Sequence, residues 1–396
     1  MPHIPLIFII AGEPSGDQIG ADLMARLNAL KGVRFAGIGG PAMADQGLVS
    51  LFPMDELSLM GVVGILRNLP HLLRRLSYTV QTIQQMKPDV VITIDAPEFS
   101  FRVLKRLHKL TERPRLIHYV APTVWAWRPG RARKISHIVD RLLCLYPFEP
   151  PYFEKYGLKS IFVGHPVAKE KAYEAQFIDR ERRSPNLLCV LPGSRSSEIN
   201  TLLPIFGETV KLLKKDIPDL KVIIPTLSSV ESLVLQGTQD WSGDVQIVVG
   251  DEARQAAFQK ASVALAASGT IALQLSVAGL PFVIAYKVGK LNEWIGRALF
   301  KTPWVCMVNI LLVFQSFGPG FVLTRKAKEK VKEPWIPEFL QQDCKPENLK
   351  AALIKLFTDQ EARSRQEQAM SEAIALLTAP PQAAAQAVLE EVKNSF

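Results

Sequence analysis

A chain of 396 residues is too long for one ordinary core and fits two domains of roughly 100–200 residues each. With 48% hydrophobic and 21% charged residues and no low-complexity tract, the composition excludes a disordered protein. The formal charge of +9 favours a phosphorylated substrate or an anionic membrane surface; no nucleic acid is expected, because no RNA-binding signature, zinc-finger spacing or aromatic-interleaved basic stripe occurs.

Short apolar runs alternate with amphipathic stretches from end to end, the pattern of βαβ units on a parallel sheet. The first strand is expected over 5–11. It runs straight into Gly12-Glu13 with no basic n-region and no cleavage-like site, so no signal peptide is read there. A helix follows over 15–30. Gly12 permits a tight turn and Ser15 can cap that helix, so an anion-holding turn and an ordinary strand-to-helix turn fit equally. The next strand, 33–38, leads through Gly37-Ile38-Gly39-Gly40 into a helix at 41–46; the full GxGxxG spacing is absent, and a plain turn is the better reading.

After a helix at 69–86, the strand 90–95 ends at Asp95 in ITIDAPE. A carboxylate there, walled by apolar neighbours, can be tuned as a general base, and a helix-cap or turn aspartate is the equally common alternative. Asp89 reads as a strand-entry residue. A helix at 99–110 and a strand at 116–120 lead to Trp125, Trp127 and Arg128. Tryptophans are usually core, but two in a loop past a strand end can line a pocket for an apolar ligand. A helix at 131–139, a strand at 141–146, a helix at 150–156 and a strand at 160–163 complete this half, with His165 as a hinge residue.

Residues 168–185 turn polar and charged, a natural linker between a domain at 1–167 and another at 186–378; residues 379–396 form a last helix expected to pack back on the first domain. In the second half, the strand 187–191 feeds Gly193-Ser194-Arg195 into a helix at 197–215. Amides, hydroxyls and a cation there converge on one spot, the strongest phosphate signal in the chain. Strands at 221–225 and 245–249 and a helix at 252–260 follow. The strand 263–266 then leads through Ser268, Gly269 and Thr270 into a helix at 270–277 carrying Gln274, with a strand at 281–285 beyond. Two such turns without a P-loop lysine suggest a diphosphate held at helix ends.

Residues 302–324 carry no charge, yet Asn309, Gln315, Ser316 and Gly318-Pro319-Gly320 would break a lipid-exposed helix, so a buried or membrane-surface segment is expected rather than a span. Three helical stretches follow Pro346. The four cysteines stand far apart and the six histidines show no paired spacing, which points to thiols in a reducing compartment, no metal and no cofactor. The fold class expected is α/β, with two Rossmann-like doubly wound parallel-sheet domains facing across a cleft and ligands bound where strand C-termini meet it.

Taken together, AGEPSGD (11–17), GIGGPAM (37–43), DELSLMGVVGIL (55–66), KPDVVITIDAPEF (87–99), IHYVAPTVWAWRPGR (117–131), PFE (147–149), FVGHPV (162–167), LPGSRSSEI (191–199), ASGT (267–270) and PEFLQQDCKPENL (337–349) resemble the lipid-A-disaccharide synthases, glycosyltransferases of the GT-B fold. The resemblance implies a UDP-2,3-diacylglucosamine donor, a 2,3-diacylglucosamine 1-phosphate acceptor, and a β-1′,6-linked disaccharide 1-phosphate plus UDP as products, made without a metal. It implies Asp95 as the base for the acceptor 6-hydroxyl. It also implies that Gly12, Ser15, Gly193, Ser194, Arg195, Ser268, Gly269 and Thr270 hold the donor, with Gln274 near its ribose. Trp125, Trp127, Arg128 and Asn309 are assigned to the acceptor or its acyl chains. The protein is expected in the cytoplasm, peripheral on the inner face of the bacterial inner membrane, and a homodimer is compatible with it. Apolar 57–73 with Arg67, Arg74 and Arg75, and 302–324 followed by Arg325, Lys326, Lys328, Lys330 and Lys332, suit a membrane interface.

Three positions depart from the family pattern. Gln274 replaces a glutamate, Val308 replaces a proline, and 315–335 reads as an insertion. The competing classes are a GT-B relative using another UDP-sugar, as transferase or epimerase, and an inactive membrane-associated scaffold.

Overall fold

The computed structural model describes residues 3–58, 62–126, 129–169, 183–241, 243–287, 304–318, 329–331 and 333–393, with backbone alone at 58 and 62–69. The chain divides into two compact domains, Met1–His165 with Ala379–Phe396, and Pro166–Thr378.

The first domain runs β1 (Leu6–Ala11), α1 (Pro14–Leu30), β2 (Arg34–Ile38), α2 (Pro41–Asp45), α3 (Asp55–Ser58), α4 (Val62–Met86), β3 (Val90–Ile94), α5 (Pro97–Leu107), β4 (Arg115–Tyr119), α6 (Gly130–Ser136), β5 (Arg141–Cys144), α7 (Pro151–Glu154) and β6 (Lys159–Phe162). All paired strands are parallel, in the order β2-β1-β3-β4-β5-β6. Parallel strands need crossover helices, which cover both sheet faces, so central strands are apolar on both sides. In β1, Phe8 and Ile10 enter one core while Ile7, Ile9 and Ala11 enter the other. Each such isoleucine contributes about 1.5–3 kcal/mol by burial. Gly37, at φ +148, lies so close to β1 that a Cβ would stand 1.8 Å from the Ile9 carbonyl oxygen.

The second domain runs β7 (Leu187–Leu191), α8 (Ser196–Leu213), β8 (Lys221–Thr226), α9 (Glu231–Gly237), β9 (Val245–Val249), α10 (Asp251–Lys260), β10 (Val263–Ala267), α11 (Ile271–Val277), β11 (Phe282–Tyr286), α12 (Met307–Phe317), β12 (Glu338–Leu340), α13 (Pro346–Thr358) and α14 (Gln360–Ala375). Its sheet is again parallel, in the order β12-β11-β10-β7-β8-β9. The final helix, α15 (Ala383–Lys393), belongs to the first domain: Ala384, Ala385, Val388 and Val392 join the core around Ile7 and Ile9. Arg141 pairs there with Glu390 at 2.7 Å and with the buried Glu391 at 3.0 Å.

One expectation needs correction. Ser15 does not cap α1: the cap position is Glu13 and Pro14 opens the helix, because proline's fixed φ and missing N–H suit the first helical residue. Of the two readings of 302–324, burial holds for Val308, Ile310, Leu311, Leu312 and Val313 on α12, which are at most 2% exposed, while Gln315, Ser316 and Phe317 at its end are exposed. The remainder of that stretch, and the side chains of 58–69, lie outside the description.

Candidate active site

In an open parallel sheet, ligands bind beyond the strand C-termini where the strand order reverses. In the first domain β1 has β2 on one side and β3 on the other, so the reversal falls between β1 and β3. The loops leaving those strands are Gly12-Glu13 and Asp95-Ala96. They pack so tightly that a Cβ on Gly12 would stand 2.7 Å from that of Ala96.

Asp95 and Ala96 are consecutive non-glycine residues in the left-handed region, at φ 49 and 43. Such backbone is costly and persists only where the surroundings hold it. Here the Asp95 N–H donates to the Tyr119 carbonyl at 3.0 Å, and the Ser100 hydroxyl donates to the Asp95 carbonyl at 2.7 Å. Burial holds the Asp95 carboxyl above the usual aspartate range, opposed by the Ala96 N–H. Glu13, which sequence reasoning passed over, is held up as well, first by burial and then by the charge of Asp95. Its signal was its place directly after the first strand.

Asp17, in the same motif, is buried and works for the fold. Its carboxylate accepts from the N–H groups of Gly40, Ala42 and Met43 at 2.8, 2.9 and 3.1 Å. One aspartate thereby caps α2 and joins the AGEPSGD and GIGGPAM turns, which accounts for the glycine-rich second turn without a ligand.

The segment after β4 is anchored from below. Trp125 is buried against Phe148, ring centroids 5.1 Å apart, and its indole N–H donates to Glu149 at 3.2 Å. It supports the loop from inside, which corrects its assignment as a wall for acyl chains: a buried indole N–H needs an acceptor, and Glu149 supplies it. Trp127 and Arg128 lie outside the described residues. Glu149 also accepts from the Tyr146 N–H at 3.0 Å, and burial pushes its carboxyl up to about 8. His165 packs at a tilt against Tyr146, ring centroids 5.4 Å apart, and is held neutral by burial, a packed residue at the domain boundary.

In the second domain the order reverses between β7 and β10. The loops there are Gly193-Ser194-Arg195 and Ser268-Gly269-Thr270, brought side by side by adjacent strands. Gly193 is at φ +115 and Gly269 at φ +144, both in the glycine region. A Cβ at Gly269 would meet nothing within 4 Å, so that backbone faces open space.

Arg195 is the residue preceding the first turn of α8. Its side chain is 79% exposed and touches Glu198 at 3.3 Å, an exposed pair that contributes little and is readily exchanged for another anion. Tyr286, ending β11, is raised first by burial, then by Glu198, and is lowered by Arg195, so its hydroxyl borders the same loop. Gln274 and Val277 on α11 face Asp251, Arg254, Gln255 and Phe258 on α10 across a cavity of about 220 Å³.

Asn309 is fully buried and its amide is spent on the chain itself. It donates to the Ile336 carbonyl and to Glu338 at 2.8 and 2.6 Å, and accepts from the Ile336 N–H at 3.0 Å. It holds the approach to β12 and is not free for an acceptor, which corrects that assignment.

The family model described as Lipid-A-disaccharide synthetase matches residues 7–392. Relatives named lipid-A-disaccharide synthase include one from Rhodospirillum centenum, 45% identical and covering 98% of this chain and 94% of that protein. Another, from Paramagnetospirillum magneticum, is 42% identical and covers 98% of each. Among solved structures, a UDP-GlcNAc 2-epimerase from Neisseria meningitidis bound to UDP-GlcNAc has a TM-score of 0.60 at 12% identity, covering 99% of this chain and 100% of that one. The glycotransferase of kitacinnamycin has 0.59 at 15%, again over 99% and 100%. At such identities the likeness is one of fold: two Rossmann-like domains.

Proposed function

We propose, from the premise that this chain belongs to the lipid-A-disaccharide synthase family, that it transfers 2,3-diacylglucosamine from UDP to the 6-hydroxyl of 2,3-diacylglucosamine 1-phosphate. Asp95 takes the hydroxyl proton, the freed oxygen bonds to the donor's anomeric carbon, and the bond from that carbon to the UDP oxygen breaks with inversion. The charge left on the diphosphate is met by Arg195 and the Gly193 and Gly269 turns, with Ser194, Ser268 and Thr270 as further donors, while Gln274 takes the ribose.

The observation that supports this reading most is the division of charge between the switch points. One carries the half-buried Asp95 carboxyl beside the more exposed Glu13, both held above their ordinary range. The other carries positive-φ glycine turns and an exposed guanidinium. A base must not be fully stabilised as an anion, and a leaving group must be, so the two loops suit opposite ends of one displacement. UDP release from the diacylated donor, measured with and without the phosphorylated acceptor, tests it. Acceptor-dependent release is expected, and release that ignores the acceptor would overturn it.

We further propose peripheral binding to anionic membranes through 57–73, since both substrates carry acyl chains. Flotation with anionic vesicles should show binding that weakens with salt, and no binding at low salt would refute it. No described helix is long and apolar enough to cross a membrane.

A further inference from the structure

One guanidinium in the first domain is held in place without being used. Arg131, on the first turn of α6, sits 5.5 Å from the centroid of the Phe101 ring. Among the described residues its ionic contact is with Glu98, at 3.9 Å, and that carboxylate is 60% exposed. Among the described residues it donates no hydrogen bond, although its side chain is only 28% exposed. A guanidinium carries five N–H donors, and a partly buried one normally spends several of them.

The support beneath it reaches into the sheet. The Phe101 ring lies 4.5 Å from that of His118, and His118 Nδ1 is 2.7 Å from the Thr93 hydroxyl. Thr93 and His118 are register partners on β3 and β4. His118 is buried and pushed down to about 3, first by burial and then by Arg131, so the column beneath the cation stays uncharged. Thr93, His118, Phe101 and Arg131 therefore form a column from the sheet outward, with the guanidinium over the Phe101 ring. Glu98 lies on the first turn of α5, three residues past Asp95. Arg131 thus meets the first turn of the helix that directly follows Asp95 and Ala96.

We propose that Arg131 is the specificity-determining residue that receives the phosphate of the acceptor; the inference rests on the glycosyl-transfer reading above. An acceptor whose 6-hydroxyl stands at Asp95 presents its 1-phosphate one pyranose ring away. A fork of N–H donors there makes two parallel charge-assisted bonds to phosphate oxygens, which lysine's point charge does not reproduce. The loose pair with Glu98 is exchanged for the phosphate, at small cost because it is exposed and long.

The test is a ratio. For the protein and its Arg131→Ala and Arg131→Lys variants, kcat/KM is measured by UDP release with the phosphorylated acceptor and with the same sugar lacking phosphate, at saturating donor. The preference of the parent protein for the phosphorylated acceptor should fall roughly 10–100-fold in Arg131→Ala, chiefly through KM, with Arg131→Lys recovering part of it. Glu98→Gln should raise the preference by removing a competing anion. An unchanged ratio in Arg131→Ala, whether activity falls on both acceptors or on neither, overturns the proposal. Failure of the glycosyl-transfer reading looks different: the parent protein itself would release no UDP in response to either acceptor.

Discussion

At the switch point of the first domain the strand ends carry Glu13 and Asp95; at that of the second they carry two positive-φ glycines and Arg195. The first loop pair is packed so closely that Gly12 has no room for a side chain, and its backbone is held in the left-handed region by Tyr119 and Ser100. The second pair faces open space at Gly269 and presents a cation that is mostly exposed. One βαβ design thus yields a tight, partly desolvated acidic site and an open, polar anion site. Desolvation is useful where a proton must leave a hydroxyl, and exposed donors are useful where a multiply charged group must enter and depart.

The comparison breaks most sharply at Asp95. Asp95→Asn should lower turnover by roughly 10²–10⁴ while UDP affinity, measured by calorimetry, stays near that of the parent. Because the folded carboxyl is raised, its ionised form costs stability at neutral pH, so the variant should also melt higher. Near-normal turnover in a folded variant would remove Asp95 from the chemistry.

The acidic character of the first domain can be read without substrate. Burial raises Glu149 from an ordinary 4.5 to about 8. A folded state that keeps its proton longer than the unfolded chain loses stability as pH rises from 4.5 through 8. The loss is on the order of 5 kcal/mol, and denaturant melts across that range should show it. Glu149→Gln should flatten the slope; an unchanged slope would mean that Glu149 ionises as freely as in the unfolded chain.

The open site should respond more mildly. Arg195→Ala should weaken UDP binding by about 1.5–3 kcal/mol, and unchanged affinity by calorimetry would make the arginine structural. Gln274→Glu should tighten UDP by about 0.5–1.5 kcal/mol if one neutral hydrogen bond to the ribose becomes charge-assisted. No change for UDP or UDP-sugar would place Gln274 away from the ribose.

Much of the fold was legible because both sheets are parallel and their central strands are bare apolar runs: VVITI between a polar helix end and Asp95, LLCVL before Pro192. Glycine turns at strand ends stood out for the same reason. The misses share a physical cause. Trp125 finds its acceptor 24 residues away, and Asn309 bonds to a backbone 27 residues on. No local pattern records such pairings, so a loop tryptophan and a lone asparagine look available until the fold spends them. Ser15 failed differently: a good capping residue lost to Pro14, whose backbone fits the first turn better. The three-residue β12 was too short to carry any period.

The placement of α15 bears on how the protein is made. Its apolar face completes the core around Ile7 and Ile9, yet the 213 residues of the second domain, Pro166–Thr378, are translated in between. At ribosomal speeds of about 5–20 residues per second, the first domain waits roughly 10–40 s for its last helix. Through that interval the surface that will receive Ala384, Ala385, Val388 and Val392 stays uncovered, and Arg141 lacks Glu390 and Glu391. Until α15 emerges that patch is exposed apolar surface, and a stop codon that removes the helix leaves the core of the first domain open.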